Sequence, residues 1–353
     1  MRNFIVVFSA GIAGQQNNPH TLAVPLLPLY SRIGRLKYVS SQATQSKKTG
    51  NSRSFNSFWP AELRRPYRII FGARNTEAAV QAIEKLDYDR TFHTVVVLSL
   101  DLCDLSKFKT FARQAQETVG QDKIDYLLLN AGMMKAAVEK QPYTSKWCES
   151  ALVNHFSQHD LIHLLREKLV ASWARIVVVS TASVRNIDDL GNTEEQIRAG
   201  SGANGFAVYN CTKFIQLIGA HWWCRQLQGH CHVVVASPGR VYGTGLGREH
   251  GYIVPADAQY VVAIKHGASF ILNGMFIDEL PDEPGTHHFG RREQVGVEAG
   301  RCEDLGQGPG GEVASQPGGV GEGCWHSCKL EADFLFCFFR FLFLLDENDR
   351  RKK

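Results

Sequence analysis

Long uninterrupted apolar runs, an excess of charge of one sign and paired cysteines are all missing from this 353-residue chain. With 39 Lys and Arg against 35 Asp and Glu, the net charge is +4, and the basic residues are dispersed. That excludes the charged footprint of a nucleic-acid-binding protein. Nine cysteines are scattered without a pairing pattern, which points away from a disulfide framework and toward a reduced protein of the cytoplasm. Cys324-Trp-His326-Ser-Cys328 lacks a second ligand pair nearby, so no metal site is expected. The apolar run from Ala332 to Leu345 is broken by Arg340 and holds about twelve apolar residues, too few for a span of about twenty. Followed by Arg350 to Lys353, it reads as a short interfacial anchor, peripheral to a membrane, or as a sticky tail. The opening residues have one Arg and a short apolar run before Gln15-Gln-Asn-Asn, which a core strand explains as well as a secretory leader does.

Several apolar runs instead end in chemistry. Lys123-Ile-Asp-Tyr-Leu-Leu-Leu closes on Asn130-Ala131-Gly132, Arg175-Ile-Val-Val-Val on Ser180-Thr181-Ala-Ser183, and His232-Val-Val-Val-Ala on Ser237-Pro238-Gly239. Each has the length and β-branched content of a buried strand. Helical segments separate them, and alternating strands and helices at this spacing imply a parallel sheet with functional groups at the strands' carboxyl ends. Between the second and third lies Tyr209-Asn-Cys-Thr-Lys213. Four residues apart on a helix, Tyr209 and Lys213 share a face. An ammonium there stabilises a phenolate and draws a pKa of about 10 toward the neutral range where a proton is usefully exchanged. The same spacing also arises from a Tyr packing on a solvated Lys.

Taken in order, Phe71-Gly-Ala-Arg74-Asn75, Leu100-Asp101-Leu102, Asn130-Ala131-Gly132, Val153-Asn154-His155, Ser180 to Ser183, Tyr209 to Lys213 and Pro238-Gly239 with Thr244 resemble the short-chain dehydrogenase/reductases. The resemblance covers roughly Arg65 to Gly285. The long gap from Thr181 to Tyr209 is similar to that of the retinol-dehydrogenase-like branch. It implies a single-domain α/β fold, a Rossmann-like doubly wound parallel sheet, and an oxidoreductase that interconverts a carbonyl and an alcohol with a nicotinamide cofactor. Tyr209 would exchange the substrate proton, and Lys213 would lower its pKa and bond the nicotinamide ribose. Asn154 would support a proton relay through Lys213, its alternative being a helix Asn bonding backbone. The hydroxyl that polarises the carbonyl falls at Thr181, with Ser183 next; a Thr donates the same bond on a stiffer χ1.

For the cofactor, the resemblance implies contacts from Arg74, Asp101, Leu102, Asn130, Ala131, Gly132, Tyr209, Lys213, Pro238, Gly239, Val241 and Thr244. Arg74 stands where an acidic residue would bind ribose hydroxyls, and so favours a 2′-phosphate and NADP (NADPH) over NAD; a solvated Arg in a turn is the alternative. Asp101 fits an adenine contact or a helix N-cap, because Asp104 and Ser106 crowd the same turn. The substrate is a small carbonyl or alcohol. Tyr242, Tyr252 and Trp222-Trp223 would admit a lipophilic one, although such aromatics are more often core. Family members commonly pair through the helix carrying Tyr and Lys, which implies a homodimer.

Both ends depart from the family pattern. No Thr-Gly-x-x-x-Gly-x-Gly is present. The nearest candidate phosphate loop is Asn3 to Gly14, with two glycines, Gly11 and Gly14, at the wrong spacing, so the first βα unit reads as degenerate or missing. The chain therefore divides into an atypical segment 1–60, a strand at most and then loop, a catalytic domain 61–285, a Gly-rich disordered stretch 286–330 and an apolar-then-basic tail 331–353. Two functional readings follow: an NADPH-linked oxidoreductase, or a non-catalytic Rossmann-like module that kept the active-site residues and lost cofactor binding. The first βα unit discriminates them.

Overall fold

The computed structural model describes residues 2–7, 66–85, 88–138, 145–247, 252, 254–258, 261–276 and 287–289. The chain divides after Gly296, and every described element lies in the first unit. Its sheet is built from β1 (Arg2–Val7), β2 (Tyr67–Ala73), β3 (Thr94–Ser99), β4 (Tyr126–Leu129), β5 (Arg175–Val179), β6 (His232–Ala236) and β9 (His287–Phe289). A separate parallel pair is formed by β7 (Arg240–Val241) and β8 (Val261–Val262). Strands β2, β4, β5 and β6 are apolar almost throughout and buried over nearly their whole length. That is the composition of strands covered on both faces, which a parallel sheet requires.

The order across the sheet is β3-β2-β1-β4-β5-β6-β9, every neighbour parallel. Chain direction across the sheet reverses between β1 and β4, and in doubly wound sheets ligands bind at that reversal, beyond the carboxyl ends of the strands. The first strand is present and central: Arg2 to Val7 register with Tyr67 to Gly72 on one side, and Phe4 to Val7 with Tyr126 to Leu129 on the other. Its start is tied by the Arg2 amide to Pro66 O at 2.9 Å and by Arg2 Nη1 donating to Tyr126 Oη at 2.8 Å. Gly11 and Gly14 lie outside the described residues, as does the tail from Ala332 to Lys353. At the other end, β9 begins two residues beyond the Gly285 boundary read from composition. A three-residue edge strand, His-His-Phe, is too short to interrupt a Gly-rich composition, yet it pairs with Val234 to Ala236.

Helices α1 (Thr76–Glu84), α2 (Leu105–Val119), α3 (Glu149–Ala151), α4 (Ser157–Ser172), α5 (Thr193–Gln196), α6 (Gly205–Gln226) and α7 (Ile264–Phe276) connect the strands. Their starts follow local capping chemistry: Asn75 accepts from Ala78 N, Asp104 from Ser106 N and Lys107 N, and Asn204 from Phe206 N and Ala207 N. Helix α2 buries Phe108, Phe111, Ala112, Ala115 and Val119, the spacing of one apolar face. It approaches β2 closely at Gly72, where a Cβ would lie 2.6 Å from Leu100 Cδ2 and 2.8 Å from Phe111 Cε2. A π-helical turn, Leu152–Phe156, joins α3 to α4; such turns recur at functional sites.

Candidate active site

Five strands of the central sheet carry candidate groups at or just past their carboxyl ends: Arg74 after β2, Asp101 after β3, Asn130 to Gly132 after β4, Ser180 and Thr181 after β5, Pro238 and Gly239 after β6. Alternation along β5 turns Ser180 and Thr181 to opposite faces. Thr181 is extended, with φ −151° and ψ 152°. Its hydroxyl donates to Ser183 Oγ and accepts from Ser183 N, both at 3.2 Å. Thr181 also lowers the Tyr209 phenol's pKa against burial, so the two groups come within interacting range across 28 residues of sequence. Ser180 is buried, and its hydroxyl has no hydrogen-bond partner among the described residues.

Tyr209 and Lys213 project from α6. The Lys213 ammonium lies 6.0 Å from the Tyr209 ring centroid. It donates to Val179 O at 2.9 Å and to Gln216 Oε1 at 3.1 Å. Burial pushes the Lys213 ammonium down to about 7. Burial likewise pushes the Tyr209 phenol up to about 12, with the Thr181 hydrogen bond opposing the shift. Desolvation disfavours both charged forms in this structure, and for the phenol it outweighs the stabilisation expected from Lys213, whose ammonium is turned toward β5.

Asn154 sits in the π-helical turn, fully buried. Its Oδ1 accepts from Met133 N at 2.8 Å, and its Nδ2 donates to Met133 O and Thr212 Oγ1, both at 2.9 Å. The arrangement is the backbone-bonding one weighed against a relay. The side chain clamps the residue after Gly132 to α6. A Cβ on Gly132 would stand 3.6 Å from Lys213 Nζ and 3.9 Å from Asn154 Oδ1, so glycine there keeps the approach to the ammonium open. Ala131 is buried, and Asn130 is partly exposed.

At the other end of the cleft, Arg74 Nη1 lies 3.9 Å from Glu149 Oε1, and Lys135 Nζ lies 2.9 Å from Glu149 Oε2. Two cations thus share one carboxylate. Asp101 Oδ1 accepts from Cys103 N at 3.0 Å, while Asp104 caps α2; the helix-cap role read for Asp101 belongs to Asp104. Leu102 is buried and its carbonyl accepts from Ser157 Oγ, which makes it an anchor of α4 rather than a side-chain contact. Gly239 has φ 79°, a left-handed conformation suited to glycine. Val241 belongs to β7, and Thr244 Oγ1 donates to its carbonyl at 3.3 Å.

These residues fit a nicotinamide dinucleotide. An ammonium carries three protons, and two of those on Lys213 go to Val179 and Gln216, so a third would remain for a ribose hydroxyl. Arg74 and Lys135 offer positive charge at the end of β2.

The long gap before Tyr209 folds locally into two 3₁₀ turns, Ala182–Asn186 and Leu190–Asn192, followed by α5. It is fastened by Cys148 N to Ile197 O and Ala199 N to Lys146 O, both 2.9 Å. Of the aromatics read as pocket or core, Trp223 is buried and edge-on to Trp222, and Tyr252 packs edge-on against Phe206 at 4.9 Å. Five cysteines, Cys103, Cys148, Cys211, Cys224 and Cys231, are free thiols. Gln158, Thr212 and Gln216 were not singled out from the sequence; the available signal was their polarity at positions where an otherwise apolar helix faces inward.

Comparison with known proteins agrees with this layout. The family model for short chain dehydrogenases matches residues 61–188. A short-chain dehydrogenase/reductase of Pestalotiopsis microspora, GME11359, is 45% identical over 222 residues, covering 62% of this chain and 76% of that protein. Two solved structures share the fold: a Pseudomonas syringae protein assigned to the short chain dehydrogenases and the salutaridine reductase of Papaver somniferum. For the first the TM-score is 0.52 at 14% identity, covering 81% of this chain and 94% of the other. For the second it is 0.50 at 14%, covering 82% and 99%. Fold and relatives together define an NAD(P)-dependent oxidoreductase with a Rossmann-type sheet. The chain belongs to the short-chain dehydrogenase/reductase family.

Proposed function

We propose that this chain is an NADPH-linked carbonyl reductase in which Tyr209 donates the proton, Thr181 holds the substrate oxygen and Lys213 binds the cofactor ribose. The observation that carries the reading is the meeting of Tyr209 and Thr181 beside Lys213 at the end of β5. Burial keeps the phenol protonated, so the proton is present at neutral pH, and its transfer is driven by the far more basic alkoxide. The cofactor, when bound, supplies the hydride. The substrate carbonyl oxygen accepts a hydrogen bond from the Thr181 hydroxyl, and as it becomes an alkoxide it takes the Tyr209 proton, leaving a phenolate that solvent reprotonates. Arg74, with Lys135 beside it, favours the 2′-phosphate, since a guanidinium pairs with phosphate through two parallel bonds. The edge-on contact of Tyr252 with Phe206, which lies one turn before Tyr209 on α6, supports an apolar substrate.

Binding of NADPH and NADH to the full-length chain, followed by calorimetry, tests the cofactor assignment. Arg74→Asp is expected to weaken NADPH by about ten- to a hundredfold and spare NADH; equal loss of both nucleotides overturns the 2′-phosphate role. With a carbonyl substrate, Tyr209→Phe is expected to lower kcat on the order of 10²–10⁴-fold with nucleotide affinity kept. A folded chain that binds neither nucleotide is the non-catalytic module.

Pairing of two copies through α6 belongs to the same reading. Phe214, Ile218 and Trp222 form a half-buried apolar ridge at four-residue spacing along it. Sedimentation of the purified chain is expected to give a dimer, and a monomer at micromolar concentration removes that part of the proposal.

A further inference from the structure

Lys213 is held by a line of amides as well as by its own motif. Its ammonium donates to Gln216 Oε1 at 3.1 Å, Gln216 Nε2 donates to Gln158 Oε1 at 3.1 Å, and Gln158 Nε2 donates to Ala131 O and Val153 O, each at 2.7 Å. Gln216 and Gln158 are 0% exposed, Ala131 1% and Lys213 3%, so water does not substitute for any of these bonds. The direction of donation is forced from both ends. An ammonium only donates, so Gln216 must offer it the oxygen and give its NH₂ to Gln158. Backbone carbonyls only accept, so Gln158 must give them its NH₂ and offer its oxygen to Gln216. The line runs from the lysine on α6, through α4, to the strand end at Asn130 to Gly132 and into the carbonyl of the π-helical turn.

We propose that Gln216, locked in orientation by Gln158, is a positioning residue for Lys213: a buried neutral acceptor one helical turn away that fixes where the ammonium sits and how readily it keeps its proton. Thr212 and Asn154 clamp the neighbouring backbone, but neither has a hydrogen bond to the ammonium, which leaves Gln216 as its side-chain acceptor among the described residues. Charge on the surrounding elements is sparse. Tyr209 and Cys211 on α6, His155 in the π-helical turn, and His159 and Asp160 on α4 are titratable groups on the elements around this region. Burial holds both imidazoles well below their ordinary range. The end of β5 faces the lysine with Val179 O and the hydroxyls of Ser180 and Thr181, and the end of β4 with Asn130 and Gly132; none of these titrates. In such surroundings one amide acceptor is a large share of what stabilises the charge.

The inference rests on the role proposed above for Lys213, and its test has a readout independent of turnover. In the full-length protein labelled with [ε-¹³C]lysine, the Lys213 resonance, assigned by Lys213→Arg, is titrated by NMR. Gln216→Glu places a carboxylate against the ammonium and is expected to raise the Lys213 pKa by about one unit or more, and Gln216→Leu to lower it by about half a unit or more. Gln216→Leu also strands Gln158 Oε1 in the interior. The double variant Gln158→Leu, Gln216→Leu is therefore included, and it is expected to melt higher than the single variant while keeping the lowered pKa. In the active enzyme the alkaline limb of the kcat profile should follow the same order, with KM changed less than about threefold. Titrations that agree with the wild type within about 0.3 unit in the folded variants overturn the proposal and leave the amides as core packing. Absence of carbonyl reduction by the wild type would instead overturn the proposed function, with the titration still deciding the role of Gln216.

Discussion

Tyr209 and Lys213 place opposite demands on the same burial. Desolvation raises the phenol to about 12 and lowers the ammonium to about 7, and the two shifts leave different marks on stability. A lysine with a depressed folded pKa has lost its proton in the native state while the unfolded chain still holds one, between about pH 7 and the ordinary value of 10.5. Stability then rises with pH across that window, by up to about 1.4 kcal/mol per unit for one proton. Raised thiols, such as Cys148 and Cys231 at about 11, act in the opposite sense above pH 9, because the unfolded chain ionises first. The measurement therefore belongs between about pH 7 and 8.5. Denaturant unfolding of the wild type is expected to strengthen over that range, and Lys213→Met to flatten the slope. An unchanged slope in Lys213→Met would mean the lysine keeps its charge in the fold. Spacing put Tyr209 and Lys213 on one face, and the family resemblance, rather than the strand ends alone, pointed to Thr181, Gly132 and Gly239 with them. The direction of the pKa shifts was not readable, because it depends on burial from α4 and β5 rather than on the Tyr–Lys spacing.

Helices α4 and α6 meet at a contact that no motif announced. Gly219 on α6 faces His159 on α4, and a Cβ there would lie 2.1 Å from His159 Cε1 and 2.7 Å from both ring nitrogens. His159 in turn lies 4.6 Å from His155, ring centre to ring centre. Gly219→Ala must push the imidazole aside in a packed interior, an overpacking cost of about 1–3 kcal/mol. Differential scanning calorimetry is expected to show a Tm lowered by several degrees, and Gly219→Ala with His159→Ala should recover part of it. Equal melting of Gly219→Ala and wild type would mean the helices slide apart freely. At this scale the sequence marked the helices only as segments between strands; the caps at Asn75 and Asn204 that start α1 and α6 were not singled out. It did not mark which faces touch. Gln158, Gln216 and Gly219 acquire meaning only when α4 lies against α6, and Asp101 could be separated from Asp104 as a cap only once the turn after β3 had a shape.

Across the whole molecule, the sheet is assembled from distant pieces of chain around its first six-residue strand. β1 lies between β2 and β4, with its last residue, Val7, in register with Gly72 and Leu129. An apolar run near the start was readable as a strand; its central place was not, because pairing with Tyr67 to Gly72 bridges some sixty residues without a motif. Two consequences separate here. Losing an edge strand such as β9 removes pairing on one side, whereas losing β1 leaves the inner edges of β2 and β4 unpaired at once, with buried amides and carbonyls lacking partners. A chain lacking residues 1–9 is therefore expected to lose its cooperative thermal transition, and adding the peptide Met1 to Ser9 back in excess should restore part of it. If the shortened chain still unfolds cooperatively with the wild-type midpoint, β1 is dispensable and β2 must pair with β4 directly. That closure would also move Arg74 one strand nearer Asn130 and Gly132, so NADPH affinity measured on the same sample reports independently on whether β1 sets the width of the cofactor cleft.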